Sequence, residues 1–197
     1  SANLSYYIYP KNGDASITPD DTVCTVYRYR DAAAAAAALV EYEEQAGKFV
    51  LPGKEYIFPT DDLKKVGTYT LASQADGAAY QKKFTVSLPV LEPGCYLIGF
   101  TASGKAGLSS YSFDGQVILQ VTDLSVTTVS SGENLVLWLQ NGAGAVAGAD
   151  VNAYLYDRVS GWSLRAREDG SDTVAIRSGT TDENGLCRID TAGRTSV

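Results

Sequence analysis

The segment Phe84-Thr85-Val86-Ser87-Leu88-Pro89-Val90-Leu91-Glu92-Pro93-Gly94-Cys95-Tyr96-Leu97-Ile98-Gly99-Phe100 decides the fold class. Its two flanks read as strands, rich in the branched and aromatic side chains that suit a pleated sheet. Between them Pro93 presets one backbone angle and Gly94 frees the next, so the whole is a strand–turn–strand unit.

Working outward, the same texture recurs. Leu4-Ser5-Tyr6-Tyr7-Ile8-Tyr9 reads as a strand stopped by Pro10, and residues 11–21 are rich in turn formers. Val23-Cys24-Thr25-Val26-Tyr27-Arg28-Tyr29 alternates and offers one face for burial. Asp31 then precedes seven alanines, and Gly47 follows Ala46. An Asp cap, a run of the best helix former and a terminal glycine predict a helix over 31–46. Alanine has little surface to bury, so this helix is expected on the sandwich, outside its core. Short strand candidates follow at Phe49-Val50-Leu51-Pro52, Glu55-Tyr56-Ile57-Phe58-Pro59 and Gly67-Thr68-Tyr69-Thr70-Leu71, with another over residues 116–121. Asp123-Leu124 marks a seam without a loose linker. Beyond it strands are expected over 124–129, 134–140, 151–157, 173–178 and 186–190. Short strands with turn signals every eight to twelve residues are the mark of a sandwich. The expectation is a mainly β protein of two tandem immunoglobulin-like antiparallel β-sandwiches. The first spans 1–122 with an Ala-rich helical insertion; the second spans 123–197 and reaches Val197 without an evident closing strand.

Composition narrows the function classes. The chain has 197 residues, 45% of them hydrophobic and 20% charged, enough for a proper core. The net charge of -7 comes without clustered Lys or Arg, which argues against nucleic acid as a partner and against anionic membrane surfaces. The longest low-complexity stretch, residues 32–40, is too short to span a bilayer. Ser1-Ala2-Asn3 reads as the start of a processed or trimmed chain.

Histidine is absent, which removes Ser-His-Asp and Cys-His nucleophilic sites and His-based metal centres. Cys24, Cys95 and Cys187 each lie in an apolar, strand-like run and read as buried thiols; a Cys24–Cys95 bridge stays open if their strands are neighbours. The acidic pairs Asp20-Asp21, Asp61-Asp62 and Glu43-Glu44 sit in polar turns or on the helix and read as solvated surface. Asp182-Glu183-Asn184-Gly185 and Asp169-Gly170-Ser171-Asp172 bring oxygen ligands together, but Leu186 occupies the fifth position that an EF-hand loop needs for a ligand. Both read as turns. Gly142 and Gly144 lack the later Gly-Lys-Ser/Thr of a phosphate loop. Trp138 lies among apolar neighbours and reads as core, whereas Trp162, after Ser160-Gly161, is the better candidate for a contact surface.

Three stretches carry a family resemblance. Leu88-Pro89-Val90-Leu91-Glu92-Pro93-Gly94-Cys95-Tyr96-Leu97-Ile98 resembles a strand pair of bacterial α2-macroglobulins. After Val121-Thr122-Asp123-Leu124-Ser125-Val126 opens a second domain, Asn141-Gly142-Ala143-Gly144-Ala145-Val146-Ala147-Gly148-Ala149-Asp150-Val151 resembles that family's hook. Gly179-Thr180-Thr181-Asp182-Glu183-Asn184-Gly185-Leu186 is similar to its turn. The runs keep the family's order and spacing over residues 84–190; Ala145 departs from the proline common there. Gly148 permits a tight turn, Ala149 is small enough to pass beneath a neighbouring strand, and Asn184-Gly185 favours a hairpin.

The resemblance implies macroglobulin-type domains of a secreted or envelope-bound protease trap. Expected partners are neighbouring domains of the same polypeptide, with proteases met through the parent protein; nucleic acid and direct membrane insertion are not expected. The family's thioester needs Cys-x-Glu-Gln, and the nearest string, Tyr42-Glu43-Glu44-Gln45, has tyrosine in place of sulfur. It reads as a solvated helix face. No functional residue carries over: no catalytic, cofactor-binding or metal residue is assigned, and the module is read as no enzyme. A second reading is a stalk or ligand-binding domain of a bacterial surface adhesin or pilin-like protein, many of which are locked by a Lys–Asn isopeptide bond. No lysine follows Lys105, which excludes that bond inside the second domain and leaves it open to the eight lysines of the first. A third is an accessory domain of a secreted enzyme, binding glycan through Trp162.

Overall fold

The computed structural model describes residues 2–9, 16–46, 56–76, 82–131, 133–156, 158–160, 163–164, 174–191 and 193–194. They form two compact units, residues 1–35 with 59–121 and residues 36–58 with 122–197. The strands are mainly antiparallel pairs in both, and the fold is mainly β.

The first unit holds strands β1 (Asn3–Ile8), β2 (Ile17–Pro19) and β3 (Thr22–Arg28). Helix α1 (Ala32–Ala46) crosses from the first unit to the second, and β4 (Lys64–Leu71), β5 (Gln74–Asp76), β6 (Lys82–Ser87), β7 (Gly94–Ala106) and β8 (Ser109–Val121) complete the first. One sheet runs β1-β6-β5. In the other, β7 pairs β8 along one edge and both β3 and β2 along its other edge, with β4 beyond β3. Alternation places one set of side chains inward: Thr22, Cys24 and Val26 of β3 are buried, as are Leu4 and Tyr6 of β1 and Phe84 and Val86 of β6. Together with Leu88 and with Tyr96, Ile98 and Ala102 of β7 they form one core between the sheets. Each such large apolar side chain contributes roughly 1.5–3 kcal/mol by leaving water. The rings of Tyr6 and Phe84 stack at 5.3 Å, and Phe113 meets Tyr6 edge-on at 5.6 Å.

The second unit contains β9 (Ser125–Ser131), β10 (Asn134–Asn141), β11 (Gly144–Ala145), β12 (Asp150–Tyr156), β13 (Arg158–Ser160), β14 (Ser163–Leu164), β15 (Val174–Thr180) and β16 (Leu186–Asp190). β10 lies between β9 on one side and β11 and β16 on the other, while β12 pairs β15 in a separate sheet. Leu135, Leu137 and Leu139 of β10, Cys187 and Ile189 of β16, and Ala153 and Leu155 of β12 make the core between these sheets.

The predicted helix is present, and Asp31 caps it: its Oδ1 accepts the Ala34 N–H at 2.8 Å. Only Ala35 is buried on it among the residues whose exposure is described, as a helix of alanines would have it. Two expectations need correction. Residues 56–59 form no strand; Tyr56 and Phe58 instead place their rings on Tyr42 of α1, at 5.7 and 5.5 Å, so ring packing takes the place of sheet pairing. The strands around residues 94–121 also extend further than predicted, as one hairpin of two 13-residue strands joined by Gly107-Leu108. The candidate strand at residues 49–52 lies outside the described residues.

Candidate functional site

The two motifs of the second unit meet at one place. Thr181, buried, donates its hydroxyl to the Val146 carbonyl at 2.7 Å and accepts the Ala149 N–H on the same oxygen at 2.9 Å. Its own backbone bonds on both sides: Thr181 N–H donates to Ala149 O at 3.0 Å, and its carbonyl accepts from Gly148 N–H at 2.9 Å. Four hydrogen bonds thus tie the hook to the turn. Gly148 supplies the left-handed backbone (φ 69°) that directs the chain into this contact, and Ala149 packs against the core.

Gly185 is fixed more tightly. Its φ is 75°, and a Cβ there would collide with the Leu139 carbonyl oxygen and stand 3.1 Å from the Val146 nitrogen. The close approach lets Gly185 O accept the Leu139 N–H at 2.8 Å. Asp182 shapes the same turn: its Oδ1 accepts from the N–H groups of Asn184 and Leu186 at 2.8 and 2.9 Å. Those bonds commit a carboxylate oxygen to the backbone, in agreement with a turn. Asn184-Gly185 does not make a hairpin, however, because β15 pairs β12 and β16 pairs β10. The turn carries the chain from one sheet to the other. Asp169-Gly170-Ser171-Asp172 lies outside the described residues.

The glycines of the hook form a two-residue hairpin: Asn141 pairs Gly144, and Asn141 Oδ1 accepts the Ala143 N–H at 2.9 Å. Nothing in that geometry is a phosphate cradle.

Trp138 corrects the expectation of a core residue. Leu135, Leu137 and Leu139 take the inward phase of β10, so Trp138 faces out and is 43% exposed. Its indole N–H donates to the Asn184 carbonyl at 3.0 Å. In register beside it stand Thr127 of β9 and Leu186 of β16, the latter 41% exposed. One step along, Val136 lies between Val129 and Arg188. This outward apolar row is what sequence reasoning missed. Trp162 lies outside the described residues.

The three thiols are free and buried. Cys24 and Cys95 do lie on neighbouring strands, but Cys24 pairs Phe100, five residues along β7 from Cys95. At about 3.4 Å per residue the two are roughly 17 Å apart along the strands, far beyond a disulfide. Burial pushes the Cys24 thiol up; Cys187 is raised by burial first and then by the Asp182 charge. Neither is an activated nucleophile. Of the acidic pairs, Asp20 Oδ2 accepts the Ser103 hydroxyl at 2.9 Å, and Asp21, Asp61 and Asp62 are exposed.

One further polar spot lies in the first unit. Tyr6 of β1 and Tyr111 of β8 reach toward each other between the sheets. Both hydroxyls are buried and neither has a hydrogen-bond partner among the described residues. Burial drives the Tyr111 phenol well above its ordinary value, and Tyr6 and Asp20 add to it. Among the described residues, no three His, Cys, Asp or Glu side chains converge on a metal position, and no helix is long and apolar enough to cross a membrane.

No family model matches the chain, and no curated protein matches it. Among solved structures, native α2-macroglobulin from Escherichia coli, in a crystal structure spanning its domains NIE–MG1, is similar. The TM-score is 0.50, with 16% identity, over 87% of this chain and 74% of that one. The likeness reaches beyond residues 84–190, where the motifs lie, and at this identity it speaks for the fold. The resemblance read from the hook and the turn is therefore borne out as architecture: these are antiparallel β-sandwiches of the kind found in a bacterial α2-macroglobulin.

Proposed function

We propose that the chain is a non-catalytic structural module of an α2-macroglobulin-like protease inhibitor that works outside the cytoplasm. Its modules on this reading are two tandem sandwich domains, 1–122 and 123–197. The observation that carries it is the Thr181 brace. The residues that resemble the family are spent on holding the hook, the turn and two sheets together. A side chain used in that way positions neighbouring structure and transfers no group. Asn141, Thr181 and Asp182 of the motifs bond to backbone within the unit, and burial raises the pKa values of the Cys24 and Cys187 thiols. The partners implied are the adjoining domains of the same polypeptide, with proteases met through the parent protein. Such a module keeps its neighbours in register while cleavage elsewhere rearranges the molecule.

The test is a graft. This chain replaces the corresponding domains of the E. coli α2-macroglobulin, and the chimera is treated with a protease. Retained inhibition is expected; a folded, secreted chimera that no longer inhibits would overturn the reading. Intact mass tests the adhesin alternative. The chain should weigh what its sequence dictates, whereas a species lighter by one ammonia would reveal an isopeptide lock and favour a surface stalk.

A further inference from the structure

Among the described residues, the outer edge of β9 carries none of the charge, proline or bulge that keeps sheet edges apart. Ser125-Val126-Thr127-Thr128-Val129-Ser130-Ser131 contains no charge and no proline, and it pairs β10 over all seven residues without a bulge. Among the described residues no strand lies on its other side, and all seven residues are exposed. Soluble proteins ordinarily blunt such an edge with lysine, proline or a bulge, because its open N–H and C=O groups template another strand. Here the exposure extends to the inward phase. Val126, Thr128 and Ser130 stand opposite the buried Leu139, Leu137 and Leu135, yet Val126 is 55% exposed. Strand β9 overhangs the core that the rest of its sheet covers.

We propose that this edge pairs with the same edge of a second copy of the chain. The pairing is antiparallel about a two-fold axis normal to the sheet at Thr128. Such an axis keeps inward residues beside inward residues, so only residues of equal parity meet. Thr128 then faces Thr128 of the second copy, Thr127 faces its Val129, Val126 its Ser130, and Ser125 its Ser131. The self-complementarity favours a second copy as occupant. No pair joins like charges, although the whole chain carries -7, and every pair is of the branched or hydroxyl type that stabilises adjacent strands. The outward face gains continuity as well. The row Leu186–Trp138–Thr127 of one copy runs on into Val129–Val136–Arg188 of the other, making one continuous outward row with Trp138, Val129 and Val136 at its apolar centre. Two seven-residue edges make an interface below the roughly 1,600 Å² of a standard complex, so the association is weak and concentration-dependent.

Sedimentation equilibrium of the whole chain, carried to on the order of 1 mM, tests the pairing. The mass should climb from 20.9 kDa toward twice that value. Thr128→Lys and Thr128→Glu, exposed substitutions that keep the melting curve of the parent, should each raise the dissociation constant by at least about tenfold, since like charges meet at the axis. An equimolar mixture of the two variants should associate again. A chain that stays monomeric throughout, or variants that associate as the parent does, would overturn the proposal. Hydrogen exchange then identifies the other occupant. Slow β9 amides in the monomer mean that the chain covers its own edge; fast ones leave the edge to a different protein. The outcome is independent of the graft above.

Discussion

Gly185 shows how one residue can decide a local structure. A methyl group there would collide with the Leu139 carbonyl, and the backbone is left-handed as well. Gly185→Ala should therefore cost about 2 kcal/mol or more, read as a lowered urea midpoint for the second unit. Thr181→Val keeps the shape and removes the hydroxyl, orphaning the Ala149 N–H and the Val146 carbonyl; a loss of about 1–3 kcal/mol is expected in the same measurement. The buried tyrosine and thiols set the response to base. Tyr111, Cys24 and Cys187 all have folded pKa values above their ordinary 10.0, 9.0 and 9.0. The neutral forms are favoured in the fold, so their contribution is complete below pH 9 and is lost as pH rises past those values. Thermal melts should fall above pH 9, and Tyr111→Phe should flatten the part of that fall beyond pH 10. The glycines were legible because a tight turn has few chemical solutions. Trp138 was not, because Leu135-Val136-Leu137-Trp138-Leu139 is apolar in both phases and erases the period-two signal that tells inside from outside.

Among the elements, α1 was the most readable, because its cap and composition are local signals. Asp31 receives the Arg30 guanidinium at 2.8 Å as well as the Ala34 amide, and its carboxyl is held below the usual range by Arg30 first and the amide second. Asp31→Ala should lower helix stability, visible as reduced ellipticity on mild heating. With the carboxyl intact, that capping persists above pH 3.8 and is lost as pH falls through the lower folded value. The β7–β8 hairpin was under-read for the opposite reason. Thr101-Ala102-Ser103-Gly104-Lys105-Ala106-Gly107-Leu108-Ser109-Ser110 has the composition of a loop, and it becomes strand because each residue pairs with a partner on the other arm or flanks the turn. Tertiary pairing overrides propensity there. Glu55-Tyr56-Ile57-Phe58-Pro59 erred the other way, since aromatic residues that suit a strand also suit packing on a helix.

For the molecule as a whole, the core of each unit has its own set of buried side chains among the described residues. Ile98→Ala should cost the first unit about 2–5 kcal/mol, while amides of β10 and β16 keep their exchange rates. Equal protection loss in both units would contradict the separation. The sandwich architecture could be read from strand spacing and turn chemistry, which are repeated many times along the chain. The pairing order could not, because sequence periodicity carries no information on which strand lies beside which. The same holds for the outward row on β9, β10 and β16, assembled from three separate segments.

The long β7–β8 arm has a consequence for how the chain reaches its native state. Ala106 and Ser109 meet at a sequence separation of 3, whereas Ser87 joins Asn3 at a separation of 84. Closing the short loop costs far less chain entropy, and each further rung zips against the last. Substitutions within this ribbon should therefore slow refolding, and those in β1 should chiefly hasten unfolding. The N-terminal strand is then the last piece of the first unit to lock, after a scaffold for it already exists.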